Sequence, residues 1–178
     1  MPDYEKLTEL AGECGFTHCA PLDISTLEFL QDVRNMCNAK QCDRYDKIWA
    51  CPPAVGSLDE MRRRVESYSG GLLVQTVGEL EDSYDWDGIQ ATSKRQSKSF
   101  MRMWDELEKF CPSVFAMGTG GCTNCEKCTY PGAPCRFPER MASSMEACGL
   151  LVSKVCADNG LAYNYGPGKI AFTGCFLV

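Results

Sequence analysis

Histidine is almost absent from this chain: His18 is the only one. Zinc sites built on two or three histidines, and di-iron sites built on paired Glu-x-x-His motifs, are therefore excluded. No apolar run approaches the roughly 20 residues needed to cross a bilayer, which argues against a membrane-spanning helix. The opening Met1-Pro-Asp-Tyr-Glu-Lys6 is too polar for a secretory signal, so a cytoplasmic location is expected. Bases are outnumbered, 18 against 24 acids for a net charge of −6, which argues against binding nucleic acid by phosphate neutralisation. There is no P-loop, no G-x-S-x-G elbow and no Cys/His/Asn arrangement. Ser83-x-Asp85-x-Asp87-Gly88 starts like a calcium loop, but Lys94 stands where the bidentate glutamate belongs. The acidic stretch Glu79 to Asp87 reads instead as a solvated loop or docking surface.

Otherwise the composition is that of an ordinary globular protein, 44% hydrophobic and 24% charged over 178 residues, and fits a single domain spanning 1–178. Cysteine is the exception, with thirteen copies. An odd number cannot all pair, and a reducing compartment favours thiols as metal ligands or redox groups over disulfides. Their distribution is uneven. Cys37, Cys42 and Cys51 form a first group, Pro52 to Phe110 contains none, and Cys122, Cys125, Cys128 and Cys135 form a second. Cys19, Cys148 and Cys175 read as buried thiols of the core, and His18 as a strand residue with a satisfied hydrogen bond.

Between the groups lies a scaffold. Ser57-Leu-Asp-Glu60 is a capping box that opens a helix to about Tyr68, and Leu72–Val77 is a buried strand. Ser25-Thr-Leu-Glu28 predicts a second helix, delivering Cys37 at its end. A long helix ends near Phe110, and Ser113–Met117 is a strand running into Gly118-Thr-Gly-Gly-Cys122. Pro138 suits the first turn of a helix carrying Met141, Met145, Cys148, Val152 and Val155 on one face. Strands at Leu161–Tyr165 and Lys169–Val178 close the chain. The pattern predicts an α/β fold, with α+β as the variant: one mixed sheet of about five strands, helices packed on it, and two cysteine-rich metal-binding loops that meet.

Cys122-x2-Cys125-x2-Cys128-x6-Cys135 is the sharpest signal. Three thiols at intervals of three residues suit one corner of an iron–sulfur cube, with the fourth ligand a few residues later. Structural zinc takes two thiols from each of two separated knuckles, so a third cysteine crowded into one of them has no role there. A [4Fe–4S] cluster is therefore preferred over zinc. Gly118, Gly120 and Gly121 would let backbone N–H groups approach sulfur, and Lys127 and Arg136 could offset negative charge. Cys37-x4-Cys42-x8-Cys51-Pro-Pro53 fits either a second metal centre or completion of the first. A cysteine followed by proline serves the other cluster in two-cluster ferredoxins, and Cys51 has that context. If the first group holds its own cluster, its fourth ligand is open among Cys14, Cys111, Cys148, Cys156, another side chain and an exogenous group.

Cys37…Cys42-Asp-Arg-Tyr45-x3-Trp49-Ala-Cys51-Pro-Pro53, Gly120-Gly-Cys122-x2-Cys125-x2-Cys128, Gly132-x-Pro134-Cys135-Arg136-x-Pro138 and Ser144-Met-Glu-Ala147 resemble a family of small cysteine-rich proteins of anaerobes known as predicted metal-binding proteins. The resemblance implies that both cysteine groups belong to a metal site and that these are iron–sulfur proteins. It also implies a glycine where Asp46 stands, so that turn is expected to differ.

The expected function is that of a cytosolic iron–sulfur protein with one or two [4Fe–4S] clusters, exchanging single electrons with a redox partner protein. One alternative is an enzyme whose cluster has an open iron that binds a small sulfur- or oxygen-bearing substrate. The other is a zinc-stabilised interaction module.

Overall fold

A computed structural model describes residues 2–178. At its centre is β2 (Gly71–Glu79), paired antiparallel with β1 (His18–Leu22) on one side and β5 (Lys169–Leu177) on the other. Beyond β5 lies antiparallel β3 (Phe115–Gly118), and then β4 (Ser143–Ser144), the one parallel pairing, for an order β1-β2-β5-β3-β4. The fold is an α/β arrangement around one open mixed sheet.

The Leu72-Leu-Val-Gln-Thr-Val run shows no polar alternation because both faces of β2 are covered. Leu72, Val74 and Phe176 face α1 (Tyr4–Cys14) and α4 (Trp86–Glu108), packing with Leu7, Ala11, Met103 and Trp104. Leu73, Cys175 and Leu177 turn the other way, into a core shared with Met61 and Val65 of α3 (Leu58–Val65) and Val155 of α5 (Val152–Asp158). Buried Gln75 is fully used: its amide nitrogen donates to Thr173 Oγ1 and the Ala162 carbonyl, both at 2.9 Å, and its oxygen accepts from Tyr165 at 2.7 Å. That network explains why residues 161–165 are irregular and not the expected strand; they dock on Gln75 and make no ladder. The fifth strand is the short β4 instead.

Two expected helices are also corrected. The stripe Met141, Met145, Cys148, Val152, Val155 is not one helix. Pro138–Arg140 makes a single 3-10 turn, Ser143–Ser144 joins the sheet, and helix begins only at Val152. Gly149, at φ 88°, breaks the path between Cys148 and Val152. Met145, Cys148, Val152 and Val155 are buried all the same, so the spacing reported burial and not helix. At the other end, Asp23 rather than Ser25 caps a short 3-10 turn, Ile24–Thr26. The chain is extended at Leu27 and Leu30, and Phe29 bridges Leu150, before α2 (Gln31–Met36) delivers Cys37. The thiols of Cys148 and Cys175 are buried as expected, whereas Cys19 is only partly covered. His18 lies in β1 but is exposed and stacks on Tyr165 at 4.9 Å between centroids.

Local chemistry fixes the remaining elements. Asp85 caps α4, accepting from Gly88 N at 2.9 Å, which accounts for the calcium-like spacing of that loop. The α3 capping box forms as expected, with Glu60 N donating to Ser57 Oγ at 3.2 Å and Ser57 N to Glu60 Oε2 at 2.7 Å. It fixes the point where the first cysteine loop re-enters the scaffold. Ser57→Ala removes this cap and is expected to cost about 1 kcal/mol in urea unfolding.

Candidate metal centre

The second cysteine loop leaves β3 at Gly118 and returns through β4, so the parallel β3–β4 pair clamps its two ends. The first loop runs from the end of α2 to the cap of α3. The two loops lie against each other. Trp49 Nε1 donates to the Ala133 carbonyl at 3.1 Å, and its ring meets Tyr130 edge-on at 4.9 Å. Arg44 Nη1 donates to the Cys122 carbonyl at 3.2 Å. Tyr130 donates to Asp46 Oδ1 at 2.5 Å.

Asp46 answers the expectation of a glycine. Its φ is 55°, the left-handed conformation that glycine favours and aspartate tolerates better than most residues. Its carboxylate holds Tyr130 of the facing loop. Within the second cysteine loop the closest approach is at Gly121, where a Cβ would stand 2.5 Å from Arg44 Cδ and 2.7 Å from Ile48 Cδ1. Gly120 is also left-handed, at φ 68°. Gly118, by contrast, is an ordinary strand residue against Phe100.

Cys122, Cys125, Cys128 and Cys135 all line one small cavity of about 20 Å³, together with Trp49 and Ala50 of the first loop. The first group is close by. Burial pushes the Cys51 thiol up to about 11, and its neighbours Cys42, Cys37 and Cys122 add to the effect. Cys51 thus stands between the first group and the first thiol of the second. Cys37 is raised in the same way, by burial and then by Cys42 and Glu146, with Arg34 opposing. Among the described residues, no three His, Cys, Asp or Glu side chains are already gathered at coordinating distance. The seven thiols share a neighbourhood, not a finished coordination shell.

The chemistry of this neighbourhood fits a cationic metal or a thiolate-bound cluster. Partial burial works against ionising Cys128, but N–H groups of Tyr130, Trp49 and Thr129 and the nearby Arg136 outweigh it and hold the thiol below its ordinary value. Arg136 also ties the loop together, donating to the Lys127 carbonyl at 2.9 Å. Arg140 anchors the loop's far end to α4, pairing with Asp105 at 2.8 Å and Glu108 at 2.6 Å. Arg34 and Tyr130 carry no motif of their own, and only their placement around cysteine marks them, whereas Arg44 and Asp46 lie within the first cysteine motif. A second cavity, of about 60 Å³, adjoins Cys122 and is lined by Gln96, Phe100 and Gly118 to Gly121.

Residues 20–178 match a family described as "Predicted metal-binding protein (DUF2284)". No match is found among curated proteins or solved structures.

Trp49 makes both a hydrogen bond and a ring contact across the loop interface. Trp49→Ala is expected to lower the free energy of local opening by about 1.4 kcal/mol, so that trypsin cuts after Lys127 and Arg136 about tenfold faster. Thermal unfolding of the scaffold should move little.

Proposed function

The chain belongs to this family of predicted metal-binding proteins, and on that premise we propose that it is an iron–sulfur protein that transfers single electrons. Cys122, Cys125, Cys128 and Cys135 are the ligands of a [4Fe–4S] cluster, and Cys37, Cys42 and Cys51 hold a second centre beside it. The observation that carries this reading is the convergence of all four thiols of the C-x2-C-x2-C-x6-C motif on one cavity, with Cys51 adjoining Cys122. The spacing favours iron–sulfur over zinc because three of the thiols crowd one turn of chain.

A bound cluster would supply reversible one-electron chemistry at iron. The chain's own residues set the conditions. N–H groups of Tyr130, Trp49 and Thr129 donate to the Cys128 sulfur, which disperses thiolate charge. Trp49, Ile48 and Ala50 wall the cavity and limit water there. Half-buried sulfurs near the surface suit electron exchange with a docked protein partner.

A second reading is favoured by the cavity beside Cys122. Gln96 lies in its wall, 1% exposed, with its amide nitrogen unpartnered and its oxygen held by Thr76 at 2.6 Å. A buried free donor suits a carbonyl or other oxygen acceptor, as the substrate of an open iron would require. Gln96→Leu should then abolish substrate-induced changes in the paramagnetic resonance of the reduced cluster; with electron transfer alone there are none to lose.

Protein isolated without oxygen is expected to be brown, with a broad band near about 400 nm and about four or eight irons per chain. Cys125→Ser should remove most of that absorbance. Single serine substitutions at Cys37, Cys42 and Cys51 should lower the iron count, and unchanged iron and spectrum in all three would remove the second centre. Colourless protein carrying zinc would instead identify a zinc-stabilised module.

A further inference from the structure

Arg34 lies in the last turn of α2, three residues before Cys37. Its Nη1 donates to the Gly56 carbonyl at 2.7 Å, across the neck of the first cysteine loop. Its Nε and Nη2 are buried and have no hydrogen-bond partner. Among the described residues it forms no ion pair; the ion pairs of the fold involve Arg62, Lys109, Arg140 and Lys154. Arg34 and Cys37 line the same surface pocket beside Gly56, and the Cys148 thiol is also near the guanidinium. Glu146 is near the same thiols but is exposed and is not bonded to Arg34.

A guanidinium with two buried, unused donors is costly, because it has given up water and gained no anion. A neutral thiol does not repay that cost. A thiolate would, through charge-assisted N–H to sulfur bonds. Cys148 is a poor choice of anion: it lies in the apolar core, where burial pushes its thiol up to about 12. Cys37 is half-buried at the loop entrance and belongs to the cysteine group.

We propose that Arg34 is a positioning residue for the second centre, at Cys37, Cys42 and Cys51, its two unpartnered nitrogens donating to the Cys37 sulfur when that sulfur is held as a thiolate on the metal. The inference rests on the metal-binding role given above to Cys37, Cys42 and Cys51. When the metal binds, the Cys37 proton passes to solvent and the Arg34 charge stays, so the guanidinium gains its counter-ion only in the loaded protein. In the metal-free chain Arg34 is a liability, which sets it apart from an arginine that merely braces the loop.

The test uses the full chain as wild type, Arg34→Met, Arg34→Lys and Cys37→Ser, each reconstituted without oxygen from Fe²⁺ and sulfide. Arg34→Met is expected to weaken iron retention against a chelator by about 10- to 100-fold, the range for groups that support a metal ligand. It should also shift the reduction midpoint to more negative potential, since a positive charge that stabilises the reduced centre is gone. Arg34→Lys should recover part of the potential. The metal-free Arg34→Met chain should melt at or above the wild-type temperature. A metal-free variant that melts lower or fails to fold, or one with iron retention and midpoint unchanged, would overturn the proposal and leave Arg34 as a brace on Gly56. Cys37→Ser separates the two layers. If it loses iron while Arg34→Met does not, only the role of Arg34 fails; if Cys37→Ser retains full iron, Cys37 is not a ligand and this inference fails with it.

Discussion

Sulfurs crowded together resist ionisation. Burial raises the Cys51 and Cys37 thiols, and each neighbouring thiolate adds to the cost of the next. A bound cation would relieve that cost, and the groups around the sulfurs act in the same direction. Positive and dipolar groups are placed around the sulfurs in advance: N–H groups and Arg136 at Cys128, Arg44 near Cys51 and Cys122, Arg34 at Cys37. None of them is a metal ligand. Together they lower the cost of gathering negative charge at one place.

The sheet gives those loops a fixed frame. β2 and the second half of β5 are buried on both faces and hold β3 in register, so Gly118 leaves the sheet at a defined point. Arg140 ties the far end of the second loop to α4 through two carboxylates and lies 4.9 Å from the ring of Trp104. The first loop is closed by the α3 cap and by the Arg34–Gly56 bond. Between the loops, Trp49, Tyr130 and Asp46 form the contact that brings two sequence-distant thiol groups together. Among the described residues the thiols are not gathered into a coordination shell.

Much of this was legible in the sequence, for identifiable reasons. The α3 capping box, the buried β2 run and the long α4 stripe are local patterns, and each appears where it was expected. The segment from Pro138 to Val155 misled because its apolar residues have helical spacing although Gly149 and the β3–β4 pairing impose another path. Leu161–Tyr165 misled because its partner is a single buried glutamine 86 residues or more upstream in the chain, Gln75, which no local pattern reveals. The cysteine groups announced themselves by spacing, and their proximity could only be supposed. Arg34 was invisible: an arginine in a short helix is ordinary until its N–H groups prove buried and unpartnered.

The account depends on a polynuclear iron centre at Cys122, Cys125, Cys128 and Cys135. X-ray absorption at the iron edge of protein isolated without oxygen tests it most directly. The account predicts iron surrounded by sulfur, with a second shell of short iron–iron scattering. A zinc edge with four sulfur neighbours and no metal–metal shell would contradict it.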